Sequence, residues 1–183
     1  MNGFHLQMGS AAHHCCKLPA KEKEAAESLL ATGADVLGMH QDSSATGEAA
    51  KEAGAKWVGY NSDVRAADFP DTWLTSPVWN WGPHYVKLGK DVAAGICDNS
   101  PYYGNMADGM ITLGTFGSSV SQETQDLIAE KAAAIIDGSL LPFTGPIKDN
   151  EGKEQIAAGA SAALGDLLGQ SYLVEGVIGS AKG

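Results

Sequence analysis

GADVLGMHQDS at residues 33–43 and AKWVGYNSD at residues 55–63 decide the fold. In each stretch a short apolar run, Val36-Leu37 or Trp57-Val58, rises out of a glycine or alanine turn and ends in a polar tail. Runs of that length, bounded by turn residues, read as buried strands. The segment between them carries alanines at helical spacing from Ala45 to Ala53 and stops at Gly54. Strand, helix and strand with short turns is the pattern of a parallel sheet covered by helices.

Upstream, Pro19 suits the first position of a helix. Ala25, Ala26, Leu29 and Leu30 then recur at helical spacing, and Gly33 closes the run. Downstream, Trp73 to Trp79 reads as a third strand, with Pro77 marking the point where it leaves the sheet. A helix is expected from near Pro83 to Ala94, ended by Gly95. Tyr102-Tyr103-Gly104 and Met110 to Leu113 are strand candidates. Ser121 is a candidate N-cap for a helix with Leu127, Ile128, Ile135 and Ile136 on one side, stopped by Gly138. Asp149 to Gly152 reads as a hairpin turn, Ser161 to Leu168 as a last helix, and Tyr172 to Gly179 as an edge strand.

Composition bounds the function. The 183 residues suit one domain, and with 44% hydrophobic and 19% charged residues the chain can build a core. A formal net charge of -10 repels phosphate backbones, so nucleic acid is not an expected partner. The three cysteines, Cys15, Cys16 and Cys97, are no disulfide framework. The cluster His13-His14-Cys15-Cys16 lacks the separated ligand pairs of a tetrahedral metal site and is read as a non-native or disordered leader. No run reaches the ~18 apolar residues of a membrane span. Dinucleotide, P-loop and nucleophile-elbow motifs are absent from the sequence, and no cofactor is expected.

In open parallel sheets, ligands bind beyond the carboxyl ends of the strands. The first strand ends in His40, Gln41, Asp42 and Ser43, the second in Asn61, Ser62 and Asp63, and the third in Trp79, Asn80 and Trp81. The polar groups match the edge of a nucleobase or sugar, and an indole can stack on a flat heterocycle. Each residue also has a structural reading. Asp42 or Ser43 can cap the following helix, Asp63 can close an Asx-turn, and either tryptophan can fill a core or hinge. An acid–base reading of His40, Asp42 and Asp63, as in a small α/β enzyme on nucleosides, is the competing class. A purine-sensing regulatory lobe is another.

The stretches PAKEKEAA (19–26), GADV (33–36), HQDS (40–43), GYNSD (59–63), LTSPVWNWGP (74–83), DGM (108–110), AAIIDGS (133–139), PFTGPI (142–147) and VEGVIG (174–179) resemble, in order, those of the basic-membrane-protein (BMP) family of solute-binding proteins. The resemblance runs from about Pro19 to Gly179. It implies an α/β fold of the type I periplasmic-binding-protein kind, two lobes with the ligand between them, and no enzyme activity. It implies a purine nucleoside or base as ligand, ABC permease subunits as partners, and a periplasmic or cell-envelope location reached without a membrane span. The position of Asp63 carries a ribose-contacting aspartate in nucleoside binders. The position of Trp79 carries a lysine there, so the tryptophan points to a flat base. Residues 1–18 do not resemble a family signal peptide or lipid anchor. The expectation is that 19–183 is the C-terminal part of a binding protein lacking its N-terminal lobe. An apolar surface is then expected to stand exposed.

Overall fold

A computed structural model describes residues 18–180. The element order is α1 (Pro19–Ala31), β1 (Val36–Gly38), α2 (Ala45–Ala53), β2 (Lys56–Val58), β3 (Pro77–Trp79), α3 (Trp81–Ala93), β4 (Ile111–Leu113), α4 (Gln122–Ile136), β5 (Ile147–Lys148), β6 (Glu154–Ile156) and α5 (Leu164–Leu168), with one 3-10 turn at Ala66–Asp68.

Local chemistry sets the first elements. Pro19 opens α1, where its missing N–H removes no helix bond. Gly54 closes α2 in the left-handed region, at φ 70°, where a side chain is disfavoured. β1 and β2 pair in parallel, with Leu37 opposite Trp57. β2 then pairs on its other side with the segment 72–75: the Trp57 amide donates to Thr72, Leu74 donates to Trp57, and Gly59 donates to Thr75. The parallel sheet expected from the sequence is therefore present, with three neighbouring segments and α1 and α2 packed on it.

The core lies between this sheet and the two helices. Ala26 of α1 and Ala49 and Ala50 of α2 are fully or almost fully buried, and such small side chains let helices approach closely. Trp57 meets Phe69 and Trp73 edge to face, at 5.1 and 4.9 Å between ring centroids, an arrangement favoured by the ring quadrupoles. The Trp73 indole N–H donates to the Thr115 carbonyl at 2.8 Å, which holds the loop after β4 over the core.

At Pro77 the third segment changes partner. It leaves β2 and pairs antiparallel with β4, Pro77 opposite Leu113 and Trp79 opposite Ile111. This is the departure that the proline predicts. α4 starts where expected, with the Ser121 hydroxyl accepting from the Thr124 amide at 3.2 Å. The hairpin at 149–152 joins β5 and β6.

Three sequence expectations are corrected. Tyr102-Tyr103-Gly104 forms no strand. There Gly104 packs so tightly on Met110 that an added methyl would lie 2.3 Å from its Cβ. Tyr172 to Gly179 contributes one bridge, Val174 to Asp149, because Gly176 and Gly179 turn the chain at positive φ. The last helix spans Leu164–Leu168 and not the full stretch from Ser161. The cluster His13 to Cys16 lies outside the described residues. Neither α3 nor α4 has a buried residue, and Tyr85, Val86 and Val92 of α3 stand exposed, so an exposed apolar surface is present.

Candidate functional site

Because β1 and β2 run in parallel and in register, the residues after Gly38 and after Val58 emerge at one edge. Between these two loops lies a cavity of about 410 Å³, lined by Gln41, Asp42, Ser43 and Asn61 together with Tyr60 and Arg65. Four of the eight residues expected from the sequence therefore share one wall. The volume falls within the range usual for small-molecule sites.

Inside it, the two loops touch through polar atoms. The Asn61 side-chain amide donates to Asp42 Oδ1 at 3.4 Å. The Thr46 hydroxyl donates to Gln41 Oε1 at 3.4 Å. Asn61 sits at φ 55°, a left-handed conformation that asparagine adopts more readily than most residues. Ser43 is committed to structure: its hydroxyl donates to the Glu22 carboxylate and accepts from the Ala45 amide at 3.2 Å, at the start of α2. The N-cap residue of α2 is Ser44, so Ser43 braces the turn before the helix instead of capping it. Burial, and then the charge of Asp42, pushes the Tyr60 phenol above its ordinary value.

An aromatic row runs along the same edge. The His40 imidazole lies 4.2 Å from the Tyr60 ring, and Tyr60 meets Trp79 at 5.4 Å in an edge arrangement. Trp79 meets Trp81 at 6.1 Å, and Trp81 stacks with Tyr85 at 5.7 Å and 15°. Trp79 is 38% exposed, so the residue is partly open to solvent. Tyr60 joins the cavity to this row.

Asp63 and Asn80 are placed elsewhere. Asp63 Oδ2 accepts from the Thr115 amide at 2.8 Å and the Thr115 hydroxyl at 2.7 Å. Those two bonds hold its carboxyl below the ordinary value. Asp63 lines a separate cavity of about 390 Å³ with Thr115 and Phe116. The Asn80 side chain donates to the Gly109 carbonyl at 3.3 Å and its amide to Met110 at 2.8 Å, tying the end of β3 to the turn before β4. Of the three acid–base candidates, Asp42 lines the first cavity, Asp63 the second, and His40 packs on the Tyr60 ring.

Sequence reasoning passed over Tyr60, Arg65 and Thr115. The signal for Tyr60 was present, since it stands at a strand end beside Asn61. Among the described residues, Arg65 is the only cation on the wall of the cavity that holds Asn61, bonded to Asp68 at 3.1 Å and reaching the Ser44 hydroxyl at 3.4 Å. Among the described residues no three metal-ligating side chains cluster, and no helix is long and apolar enough to cross a membrane.

Against this geometry stand the similarities to known proteins. The family model described as ABC transporter substrate-binding protein, PnrA-like, matches residues 17–144. A purine-binding protein of Brucella abortus is 37% identical over 160 residues, covering 87% of this chain and 45% of the relative. A protein of Haloferax volcanii named as an ABC transporter glucose-binding protein is 31% identical over 136 residues, covering 74% of this chain and 34% of the relative. The chain thus spans less than half the length of the curated relatives it matches. Among solved structures, a transcriptional activator of the comK gene from Bacillus halodurans superposes with a TM-score of 0.60 at 28% identity, over 68% of this chain and 44% of the other. An ABC transporter solute-binding protein from Conexibacter woesei superposes with a TM-score of 0.54 at 22% identity, over 68% and 42%, a likeness of fold alone.

Proposed function

The chain belongs to the PnrA-like family of ABC transporter substrate-binding proteins, and from that premise we propose that it forms one wall of a cleft that captures a purine base for an ABC permease. The observation that carries the reading is the junction of a polar cavity with an open aromatic row. Gln41, Asp42 and Asn61 offer donors and acceptors, and His40, Tyr60 and Trp79 offer faces at the same edge. A purine has that division, with flat apolar faces and a hydrogen-bonding rim.

Two features favour a base over a nucleoside. Trp79 presents an open indole for stacking, worth ~1–3 kcal/mol per base by analogy with nucleic-acid binders. Asp63, the candidate ribose contact, has one carboxylate oxygen engaged by Thr115 and lines a different cavity. The purine-binding relative at 37% identity supports the ligand class. Membership of the family supports a role at the cell envelope beside permease subunits, and the net charge of -10 disfavours a nucleic-acid partner. The binding reading is favoured over the enzyme reading because Asp42 and Asp63 line different cavities.

Calorimetric titration of the chain with adenine, hypoxanthine, adenosine and glucose tests the reading. Saturable heat with a base, weaker with adenosine and flat with glucose, is expected. Heat with glucose alone moves the ligand class to sugars, as the name of the halophilic relative suggests for that protein. A flat response to every purine removes the proposal.

A further inference from the structure

The loop 61–63 carries Asn61 into the cavity, and it is pinned from outside the cavity. Trp79 donates its amide to the Asn61 carbonyl at 3.2 Å, and the Ser76 hydroxyl donates to the Ser62 carbonyl at 3.0 Å. The third anchor comes from the loop after β4, 52 residues away in sequence: the Thr115 amide and hydroxyl both donate to Asp63 Oδ2. This anchor is the strongest in kind, because both bonds end on a carboxylate and are shorter than the other two. The approach is close enough that Gly114, beside Thr115, has no room for a side chain: an added methyl would lie 2.7 Å from Asp63 Cβ and 2.9 Å from Ser76 Oγ.

We propose that Thr115 is a positioning residue for the solute cavity, acting through Asp63 to fix the loop that presents Asn61 to Asp42. Its amide and hydroxyl reach the cavity loop through Asp63, and its carbonyl accepts from the Trp73 indole, which also borders the cavity, so T115V leaves that second contact in place. The loop holds Asn61 at φ 55°, away from the backbone regions that most residues favour, and such a conformation persists only where surrounding contacts over-determine it. Removing one donor leaves the amide bond but loosens the loop. Asn61 Nδ2 then drifts from Asp42 Oδ1, and the two cavity loops lose the polar contact that sets their spacing. The assignment rests on the reading of the cavity as the solute site, and it gives that site a dependence on a loop outside its wall.

The test compares the chain with T115V, which keeps the size and loses the hydroxyl, and T115S, which restores it. Two measurements are made. In the absence of ligand, the side-chain amide resonances of Asn61 shift in T115V and return in T115S. With adenine as probe, T115V binds about tenfold more weakly than the parent chain, a loss of the size expected for one hydrogen bond to a charged acceptor, and T115S binds within about twofold. Failure of the parent chain to bind adenine counts against the purine reading, and the ligand-free resonances then decide the positioning role alone. Unmoved Asn61 resonances in T115V, or a T115S variant as impaired as T115V, overturn it.

Discussion

Gly47 faces the indole of Trp57 so closely that a methyl group at Gly47 would stand 2.5 Å from Trp57 Cζ2 and 2.6 Å from Cε2. Trp57 is 1% exposed and meets Phe69 and Trp73 edge to face, so a shift of its ring disturbs both contacts. Gly47→Ala is expected to destabilise the chain by about 1–3 kcal/mol through overpacking, despite the better helix propensity of alanine. Gly89 in α3 is the control, since nothing lies within 4 Å of an added methyl there. Gly89→Ala should be neutral or stabilising by up to ~1 kcal/mol. Thermal unfolding of the two variants checks both. Equal melting temperatures would show that the Trp57 contact does not limit packing.

Asn61 separates backbone from side-chain effects. Asn61→Gly keeps the left-handed conformation and removes the amide that meets Asp42. Asn61→Ala removes the amide and strains the backbone by about 1 kcal/mol. Both variants are expected to lose purine affinity, while only the alanine variant loses stability. Calorimetry paired with thermal melting resolves the two, and unchanged affinity in the glycine variant would take Asn61 out of the site.

Trp79→Ala is expected to weaken binding of adenine by about tenfold, the lower half of the stacking range, with little change in melting temperature because the ring is partly open. A large drop in stability with unchanged affinity would instead assign the ring to packing.

Acid should act through Asp63. Its carboxyl is held below the ordinary value by the Thr115 amide and hydroxyl. Stability from that pair is fully present above the unfolded-state value, about 3.9, and is lost as pH falls through the lower folded-state value. Asp149, held down by the Gln155 side chain and the Lys153 amide, behaves in the same direction in the β5–β6 hairpin. Carboxyl-carbon titration by NMR measures each. In T115V the Asp63 midpoint should move up, and the Asp149 midpoint should stay.

Ser121→Ala removes the hydroxyl that caps α4 and is expected to cost about 1 kcal/mol locally. With no buried residue in α4, the loss should appear as faster amide exchange at the first turn. Undiminished protection there would mean that the cap is dispensable.

The features legible in the sequence were those set by neighbours in the chain. Pro19, Gly54 and Ser121 mark helix ends whose chemistry is local, and the alternation of strand and helix placed His40 to Ser43 and Asn61 to Asp63 at one sheet edge before any contact was known. Strand lengths were overread. Of the stretch 73–79 read as one strand, only Pro77–Trp79 forms β3, while 72–75 pairs with β2. The contacts that the sequence could not show are made by distant partners. Ser43 is bound by Glu22, 21 residues earlier, and Asp63 by Thr115, 52 residues later. No periodicity carries such pairings, so capping and ligand contact looked alike for these residues.

The change of partner at Pro77 has a mechanical side. Proline brings no N–H, so the chain passes from the parallel ladder of β2 to the antiparallel ladder of β4 without stranding a donor. Bonds nevertheless cross the joint, from the Trp79 amide to the Asn61 carbonyl, from the Gly114 amide to Ser76 and from the Gly117 amide to Leu74, so the two ladders are tied to each other. Trp79 lies on one side of the joint, paired with Ile111, and Thr115 follows β4 on the same side. The β3–β4 ribbon therefore carries the stacking ring and the Asp63 anchor on one unit, clamped to the loop 61–63 like two teeth of one jaw.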